Sequence, residues 1–136
     1  MSDVIAVSEA VSLAFHGMGI LVRSGRMSAR EMAKSVEVSE AHLAKVFQRL
    51  VKAGLVDSTR GPGGGFELAR KPGDILLFDI YAAIEGIPEG SHCLLHKPRC
   101  PFRNCIFGSI LGKMTEEFLD YLKNTTLEDI RRGEAE

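Results

Sequence analysis

The hydrophobic pattern of residues 39–54 predicts an amphipathic helix around which the rest of the chain is organised. Apolar side chains recur at the intervals of a helix with one buried face, at Leu43, Val46, Phe47, Leu50 and Val51. Ser39 is a favourable N-cap residue, and Gly54 can adopt the left-handed conformation that ends a helix. The opposite face carries side chains able to contact phosphates or base edges, namely His42, Lys45, Gln48, Arg49 and Lys52.

A shorter helix is predicted directly before this one. Ser28 stands three residues before Glu31, a capping pattern that indicates a helix over residues 29–36. Residues 37–38 then leave only a short turn before the amphipathic helix begins. Two helices separated by a short turn are typical of a helix-turn-helix motif.

A hairpin is predicted after the amphipathic helix. A short strand starts at Leu55, a tight turn runs from Arg60 to Gly65, and residues 66–68 alternate back as a second strand. Helix, turn, helix and hairpin together predict a winged helix-turn-helix domain. The predicted fold class is therefore mainly α with a small β-hairpin wing.

Further helices are predicted on both sides of this motif. Residues 3–23 keep a helical repeat of apolar positions, and Gly17 and Gly19 are expected to loosen its end. After the hairpin, Asp74 is the expected cap of a helix that runs to Ile84.

The last predicted helix is long and carries a broad apolar stripe. It starts at Cys105 and runs to about residue 123, through Ile106, Phe107, Ile110, Leu111, Met114, Phe118, Tyr121 and Leu122. A single small domain has little spare core to cover this stripe, so we expect it to pack against the same helix of a second subunit. Thr126 is the expected cap of a final short helix, and Arg131 to Glu136 are expected to form a mobile tail.

These elements divide the chain into three predicted parts. They are a winged helix-turn-helix domain over residues 1–85, a cysteine-containing loop over 86–104, and a dimerisation helix with its tail over 105–136. No apolar run approaches the roughly 20 residues that span a bilayer, so no membrane partner is expected. The N-terminus lacks the pattern of a signal peptide, which predicts a cytoplasmic protein.

The charge distribution gives weak support to a nucleic-acid partner. The net charge is −1, but residues 1–70 hold nine basic and seven acidic side chains, whereas residues 71–136 hold eight and eleven. This asymmetry favours an N-terminal half that faces phosphates. An enzyme is not expected, because the chain has no nucleophile–base pair, HExxH motif or phosphate-binding loop.

Three cysteines, Cys93, Cys100 and Cys105, lie within thirteen residues of one another. An odd number of thiols without an export signal argues against a disulfide framework and indicates metal binding or redox chemistry. The spacing differs from the paired ligands of a zinc finger, although one of His92 or His96 could complete a Cys₃His zinc site. Three thiols without a metal are a further possibility.

The glycine-rich turn carries the most specific motif. From Leu43 to Arg70 the chain reads LxxxFxxLxxAGLVxSxRGPGGGFxLAR, which closely resembles the Rrf2 family of winged-helix bacterial transcription regulators, with its IscR-like and NsrR-like members. The resemblance covers about residues 5–125. It implies a homodimer with a long dimerising helix that binds a palindromic operator in double-stranded DNA. It often also implies a cluster held by three cysteines.

Candidate DNA-binding residues follow from the motif and from the polar helix face. Ser39, Ala41 and Ala44 stand where relatives place contacting residues of the recognition helix, but the two alanines cannot form side-chain hydrogen bonds. An arginine at the tip of the wing suits a narrow minor groove. We therefore expect contacts from Ser28, Ser39, His42, Lys45, Gln48 and Arg49 on the helices and from Arg60, Pro62 and Gly63 in the wing.

The resemblance also implies an iron–sulfur cluster, [4Fe–4S] or [2Fe–2S], held by Cys93, Cys100 and Cys105. Glu9 stands where NsrR-like relatives place an acidic fourth ligand that reaches across from the partner's first helix. Other candidates for this ligand are His92, His96 and an exogenous small molecule.

The function expected is a homodimeric regulator whose operator affinity is set by a cluster that senses redox state, nitric oxide or iron. One alternative is a family member without a cluster, which senses by cysteine oxidation or through a partner protein. Another is a zinc-stabilised interaction module.

Overall fold

The computed structural model describes residues 6–87, 93–94 and 100–135 of the chain. Within these ranges the fold is mainly helical with one antiparallel hairpin, which confirms the predicted fold class. None of the helices there has the length and apolar content that crossing a membrane requires. The elements are α1 (Glu9–Ser24), α2 (Ala29–Ser35), α3 (Glu40–Lys52), β1 (Val56–Thr59), β2 (Gly65–Leu68), α4 (Leu77–Glu85), α5 (Ile110–Lys123) and α6 (Leu127–Ala135).

Helix α3 is held in the core by the apolar face that its sequence predicts. Leu43, Phe47 and Leu50 are fully buried, and Ala53 and Gly54 end the helix, with Gly54 at a φ of 79°. This positive φ is the conformation that favours glycine after a helix. The sequence therefore correctly predicts both the burial of this helix and its end.

Gly17 allows α1 and α3 to pack closely. A Cβ atom at Gly17 would lie 2.4 Å from the Phe47 ring, whereas a Cβ atom at Gly19 would meet nothing within 4 Å. The expectation that these glycines loosen the end of the helix is wrong, because α1 continues without interruption to Ser24. The missing side chain at Gly17 makes room for an aromatic ring in the core.

The hairpin forms the predicted wing and is joined to the segment before α2. Strands β1 and β2 pair antiparallel, with Val56 opposite Leu68 and Thr59 opposite Gly65. The backbone of Phe66 exchanges two hydrogen bonds with Met27, at 2.8 and 3.0 Å, and its ring lies 5.1 Å from that of Phe47. The wing is thus fixed to the same core as α3.

Helices α1 and α4 begin later than predicted. The Ser8 hydroxyl accepts a hydrogen bond from the Val11 N–H, so α1 starts at Glu9. Residues 3–5 of the predicted helix lie outside the described residues.

Asp74 does not cap α4. It ends a 3-10 turn over Pro72–Asp74, and the Asp79 carboxylate instead accepts the Leu76 N–H at 3.0 Å. The start of α4 is set by tertiary contact, because Leu77 N–H donates to the Thr125 carbonyl and Leu127 N–H to the Ile75 carbonyl.

The C-terminal helices differ in extent from the prediction but are correctly capped. Helix α5 begins at Ile110 instead of Cys105 and ends at Lys123 as predicted. The Thr126 hydroxyl accepts the Asp129 N–H, and the Asp129 carboxylate accepts the Thr126 N–H, which holds the pKa of Asp129 below its ordinary value. Arg131 and the residues that follow it continue α6 to Ala135, so the expectation of a mobile tail from residue 131 is wrong.

Helix α5 has a buried end and an exposed apolar stripe. Leu122 and, after the turn, Leu127 belong to the same core as α1 and α3. The outward stripe continues the turn before the helix, and its side chains are between 37% and 75% exposed: Ile106, Phe107, Ile110, Met114, Phe118 and Tyr121. Phe118 packs edge-to-face against Tyr81 of α4, and the rest of the stripe is largely open to solvent in the described part of the chain.

Candidate nucleic-acid interface and cysteine loop

The two helices of the helix-turn-helix motif are capped by the predicted serines. The Ser28 hydroxyl accepts the Glu31 N–H at 3.1 Å and donates to the Glu31 carboxylate at 2.9 Å. The Ser39 hydroxyl accepts the His42 N–H at 3.1 Å. Both hydroxyls satisfy helix N–H groups that would otherwise lack partners. In the structure, the two serines thus fix where α2 and α3 begin.

Part of the predicted polar face of α3 is open to solvent. Lys45 and Gln48 are exposed, and the neighbouring Ala41 is exposed as well. This surface carries the positive charge of Lys45 and the amide of Gln48 beside a small side chain, and Arg49 and Lys52 of the predicted face are exposed as well. A lysine can contact a phosphate, and an amide can form two hydrogen bonds with a base edge.

Two other candidates on α3 reach neighbouring elements of the same chain. The His42 Nε2 atom is buried and has no hydrogen-bond partner, and it lies 3.8 Å from the Glu9 carboxylate at the start of α1. An Arg49 guanidinium nitrogen donates to the Ile84 carbonyl in the last turn of α4. Sequence reasoning placed both side chains with the DNA-facing residues, whereas the structure pairs Arg49 with Ile84 and places the His42 ring near Glu9.

The tip of the wing exposes the three candidates predicted there, Arg60, Pro62 and Gly63. Gly63 has a φ of 75°, a backbone conformation that residues other than glycine rarely adopt. The hairpin thus presents a narrow tip with one arginine at its side.

Arg26 holds the wing in place, and sequence reasoning missed it. Its guanidinium donates to the Gly63 carbonyl at 3.2 Å, to the Thr59 hydroxyl at 3.4 Å and to the Glu67 carboxylate at 3.1 Å. These partners are more than thirty residues away in sequence, so no local pattern could have indicated the contacts. Arg26 links the segment before α2 to both strands and to the tip.

The three cysteines line one cavity beside the start of α5. Cys93, Cys100 and Cys105 surround a space of about 550 Å³ together with Arg103, Lys113 and other residues. None of the three forms a disulfide; Cys100 and Cys105 are exposed and Cys93 is half-buried. His92 and His96, the predicted zinc alternatives, lie outside the described residues.

The cysteine cavity fits a cluster better than a single ion. Within the described ranges, no three or more His, Cys, Asp or Glu side chains are grouped closely enough to hold one metal ion. An iron–sulfur cluster distributes its thiolate ligands over more than one iron, so they need not all converge on one point. Arg103 and Lys113 in the lining would offset the negative charge of such a group.

Glu9 lies apart from the cysteine cavity of its own chain. It occupies the first position of α1, its side chain is 72% exposed, and its carboxylate lies 3.8 Å from the His42 ring. The structure therefore does not bring Glu9 and the cysteines together within one chain.

The fold and the two sites define a winged helix-turn-helix protein with a cysteine cavity. Residues 7–133 match the Rrf2 family, described as iron-dependent transcriptional regulators. This match covers most of the chain, and the chain belongs to the Rrf2 family. It is a transcription regulator and not an enzyme, as the sequence predicts.

Relatives and solved structures agree with this assignment. The chain is 32% identical to protein rrf2 of Nitratidesulfovibrio vulgaris, over 78% of this chain and 71% of the relative. The structure of IscR from T. potens aligns with a TM-score of 0.73 and 30% identity, covering 98% of this chain and 90% of that one. The structure of CymR, the global cysteine regulator of B. subtilis, aligns with a TM-score of 0.70 and 28% identity, covering 93% and 95%.

Proposed function

We propose that this protein is a homodimer that regulates transcription by binding a palindromic operator through α3 and the wing. The observation that carries this proposal is the combination of a buried apolar face on α3 with exposed Lys45 and Gln48 beside it. In this proposal α3 enters the major groove and Arg60 contacts the minor groove. Ser28 and Ser39 set the helix starts. In this proposal the Ser39 hydroxyl donates to a phosphate, and Ser28 does so after releasing the Glu31 carboxylate.

Dimerisation is proposed through the exposed stripe of α5. Phe107, Ile110, Met114, Phe118 and Tyr121 recur at intervals of three or four residues and remain between 37% and 56% exposed. If the stripe of a second subunit packed against it, the stripes of both subunits would be buried. A two-fold dimer places two recognition helices for the two halves of a palindrome.

The proposed effector site is the cysteine cavity, with Cys93, Cys100 and Cys105 as ligands of a [4Fe–4S] or [2Fe–2S] cluster. The support is the soft thiolate donor set on one cavity together with the basic side chains in its lining. Glu9 of the other subunit is the proposed fourth ligand. A bound cluster would supply a centre that changes with redox state, nitric oxide or iron supply.

The chain's own contacts suggest how this site would affect DNA binding. The Glu9 carboxylate lies 3.8 Å from His42 on the recognition helix. If Glu9 serves as a ligand across the dimer, its carboxylate is drawn away from His42 and the start of α1 moves relative to α3. A coupling of about 1–3 kcal/mol between the two sites would change operator affinity roughly 5- to 150-fold.

Anaerobic purification followed by absorption spectroscopy tests the effector site. Iron, acid-labile sulfide and zinc are assayed on the same sample. The proposal expects charge-transfer absorption in the visible range and iron and sulfide in matching amounts. A protein that stays colourless and free of iron after anaerobic reconstitution would contradict it.

A second candidate is a regulator that senses by cysteine oxidation without a cluster. Three thiols that form no disulfide and share one cavity favour it, and the CymR relative is named a cysteine regulator. The same assay separates the candidates, because this one predicts no iron. Zinc in a protein without affinity for DNA would instead indicate an interaction module.

A further inference from the structure

Arg49 joins the recognition helix to the end of α4. Its guanidinium donates to the carbonyl of Ile84, which is buried. The last carbonyls of a helix have no partner within it, and a positive charge is favourable at this end of the helix dipole. A charge-assisted hydrogen bond to such a carbonyl is therefore a strong link between α3 and α4.

Two further contacts connect these helices with the start of α1. The Ser8 hydroxyl, before α1, donates to the Glu85 carboxylate at 2.5 Å. His42 of α3 and Glu9 of α1 approach within 3.8 Å of each other. These contacts join the start of α1, the recognition helix and the last turn of α4, and we call the six residues involved the α4 junction: Ser8, Glu9, His42, Arg49, Ile84 and Glu85.

The α4 junction lies immediately before the cysteine loop. Helix α4 ends at Glu85, Gly86 closes it by donating to the Ala82 carbonyl at 2.9 Å, and the chain then runs on to Cys93. The turn of α4 that Arg49 holds is thus the described part of this helix that is nearest in sequence to the cysteine loop.

We propose that Arg49 is a positioning residue that couples the cysteine loop to the recognition helix, and not a DNA-contacting residue. This inference rests on the proposed DNA binding by α3 and is independent of what the cysteines hold. Coupling between two sites is reciprocal. DNA binding must then stabilise the end of α4, and Arg49 must be needed for that effect.

Hydrogen–deuterium exchange on the full chain tests the proposal. The probe is a duplex selected by the wild-type protein from a random-sequence pool. Bound to this duplex, the wild type is expected to exchange more slowly both in α3 and over residues 82–87. In Arg49→Met, which keeps an unbranched stem but has no N–H donor, slowing is expected in α3 alone. Arg49→Ala is the second variant, and thermal unfolding confirms that each variant folds.

Salt dependence of DNA affinity provides the second measurement. A residue that contacts a phosphate contributes about 0.9 to the slope of log affinity against log salt. Lys45→Met, the matched control on the same helix, should reduce the slope by about this amount and keep the slowing over residues 82–87. Arg49→Met should leave the slope unchanged.

The outcomes separate the inference from the proposed function. If hydrogen–deuterium exchange over residues 82–87 still slows in DNA-bound Arg49→Met, the inference is overturned and the proposed DNA binding is not. The same holds if exchange there does not slow in the DNA-bound wild type. A reduced salt slope in Arg49→Met also overturns the inference, because it makes Arg49 a phosphate contact. A wild-type protein that selects no duplex overturns the proposed DNA binding and the inference with it.

Discussion

Gly17 shows how much one residue can decide in a small core. A methyl group there would lie 2.4 Å from the Phe47 ring and 3.0 Å from the Met32 sulfur. We expect Gly17→Ala to lower the free energy of unfolding by about 1–3 kcal/mol, because overpacking forces buried groups apart. Chemical denaturation of the purified protein measures the change.

Gly19→Ala is the matched control, because a Cβ atom there meets nothing within 4 Å in the described structure. Alanine is favoured over glycine inside a helix, so this variant should be more stable by up to about 1 kcal/mol. Equal stability of the two variants would show that the Phe47 ring does not require a glycine opposite it.

Arg60 is the residue on which the proposed minor-groove contact depends. We expect Arg60→Ala to weaken binding to a selected duplex by about 1–3 kcal/mol without changing the iron content. Arg70→Ala is the control, since Arg70 lies at the other end of the hairpin and is also exposed. Fluorescence anisotropy measures both affinities, and an equal loss in the two variants would argue against the assignment of the tip.

The residues that could be predicted are those whose partners lie close in sequence. Ser28, Ser39 and Thr126 cap helices as expected, because each accepts a hydrogen bond from an N–H three residues ahead. Arg26 and Arg49 could not be assigned in this way. The fold brings their partners near from distant parts of the chain, so the sequence around each arginine does not indicate these contacts.

At the scale of elements, the apolar repeat correctly predicts which helices exist but not where each begins. Helix α4 starts at Leu77 because Leu76, just before it, forms an isolated β-bridge with Thr126. These two residues are far apart in sequence. Helix α5 starts at Ile110 although Ile106 and Phe107 continue its apolar repeat. Periodicity alone does not separate a helical turn from the segment before it.

The exposed stripe of α5 leads to a prediction about assembly. We expect Met114→Glu to convert a dimer into a monomer of 14.9 kDa, because a charge buried between two apolar stripes is costly. Analytical ultracentrifugation measures the mass. Glu116→Gln, an exposed position on the side of the same helix that faces away from Met114, should leave the dimer intact.

A Met114→Glu variant that keeps the mass of two chains would place the interface elsewhere. A wild type that is already monomeric would remove the dimer from the proposed function and leave the DNA-binding surface unchanged.

At the scale of the whole molecule, the elements on both sides of the cysteine loop pack on the same core as the recognition helix. The recognition helix packs on α1 through Phe47 and Gly17, and it reaches the end of α4 through Arg49. The cysteine loop follows that end in sequence, and the buried end of α5 returns to the same core. The proposed coupling between the cysteines and α3 relies on these flanking elements.

The most direct test of the central claim is the operator affinity of the iron–sulfur-loaded protein compared with that of the stripped protein, measured anaerobically by fluorescence anisotropy. For the wild type, the account predicts affinities that differ roughly 5- to 150-fold. For Cys100→Ala, it predicts that the same loading and stripping steps leave the affinity unchanged. Equal affinities of the loaded and stripped wild type would contradict the claim that the cysteine site controls DNA binding.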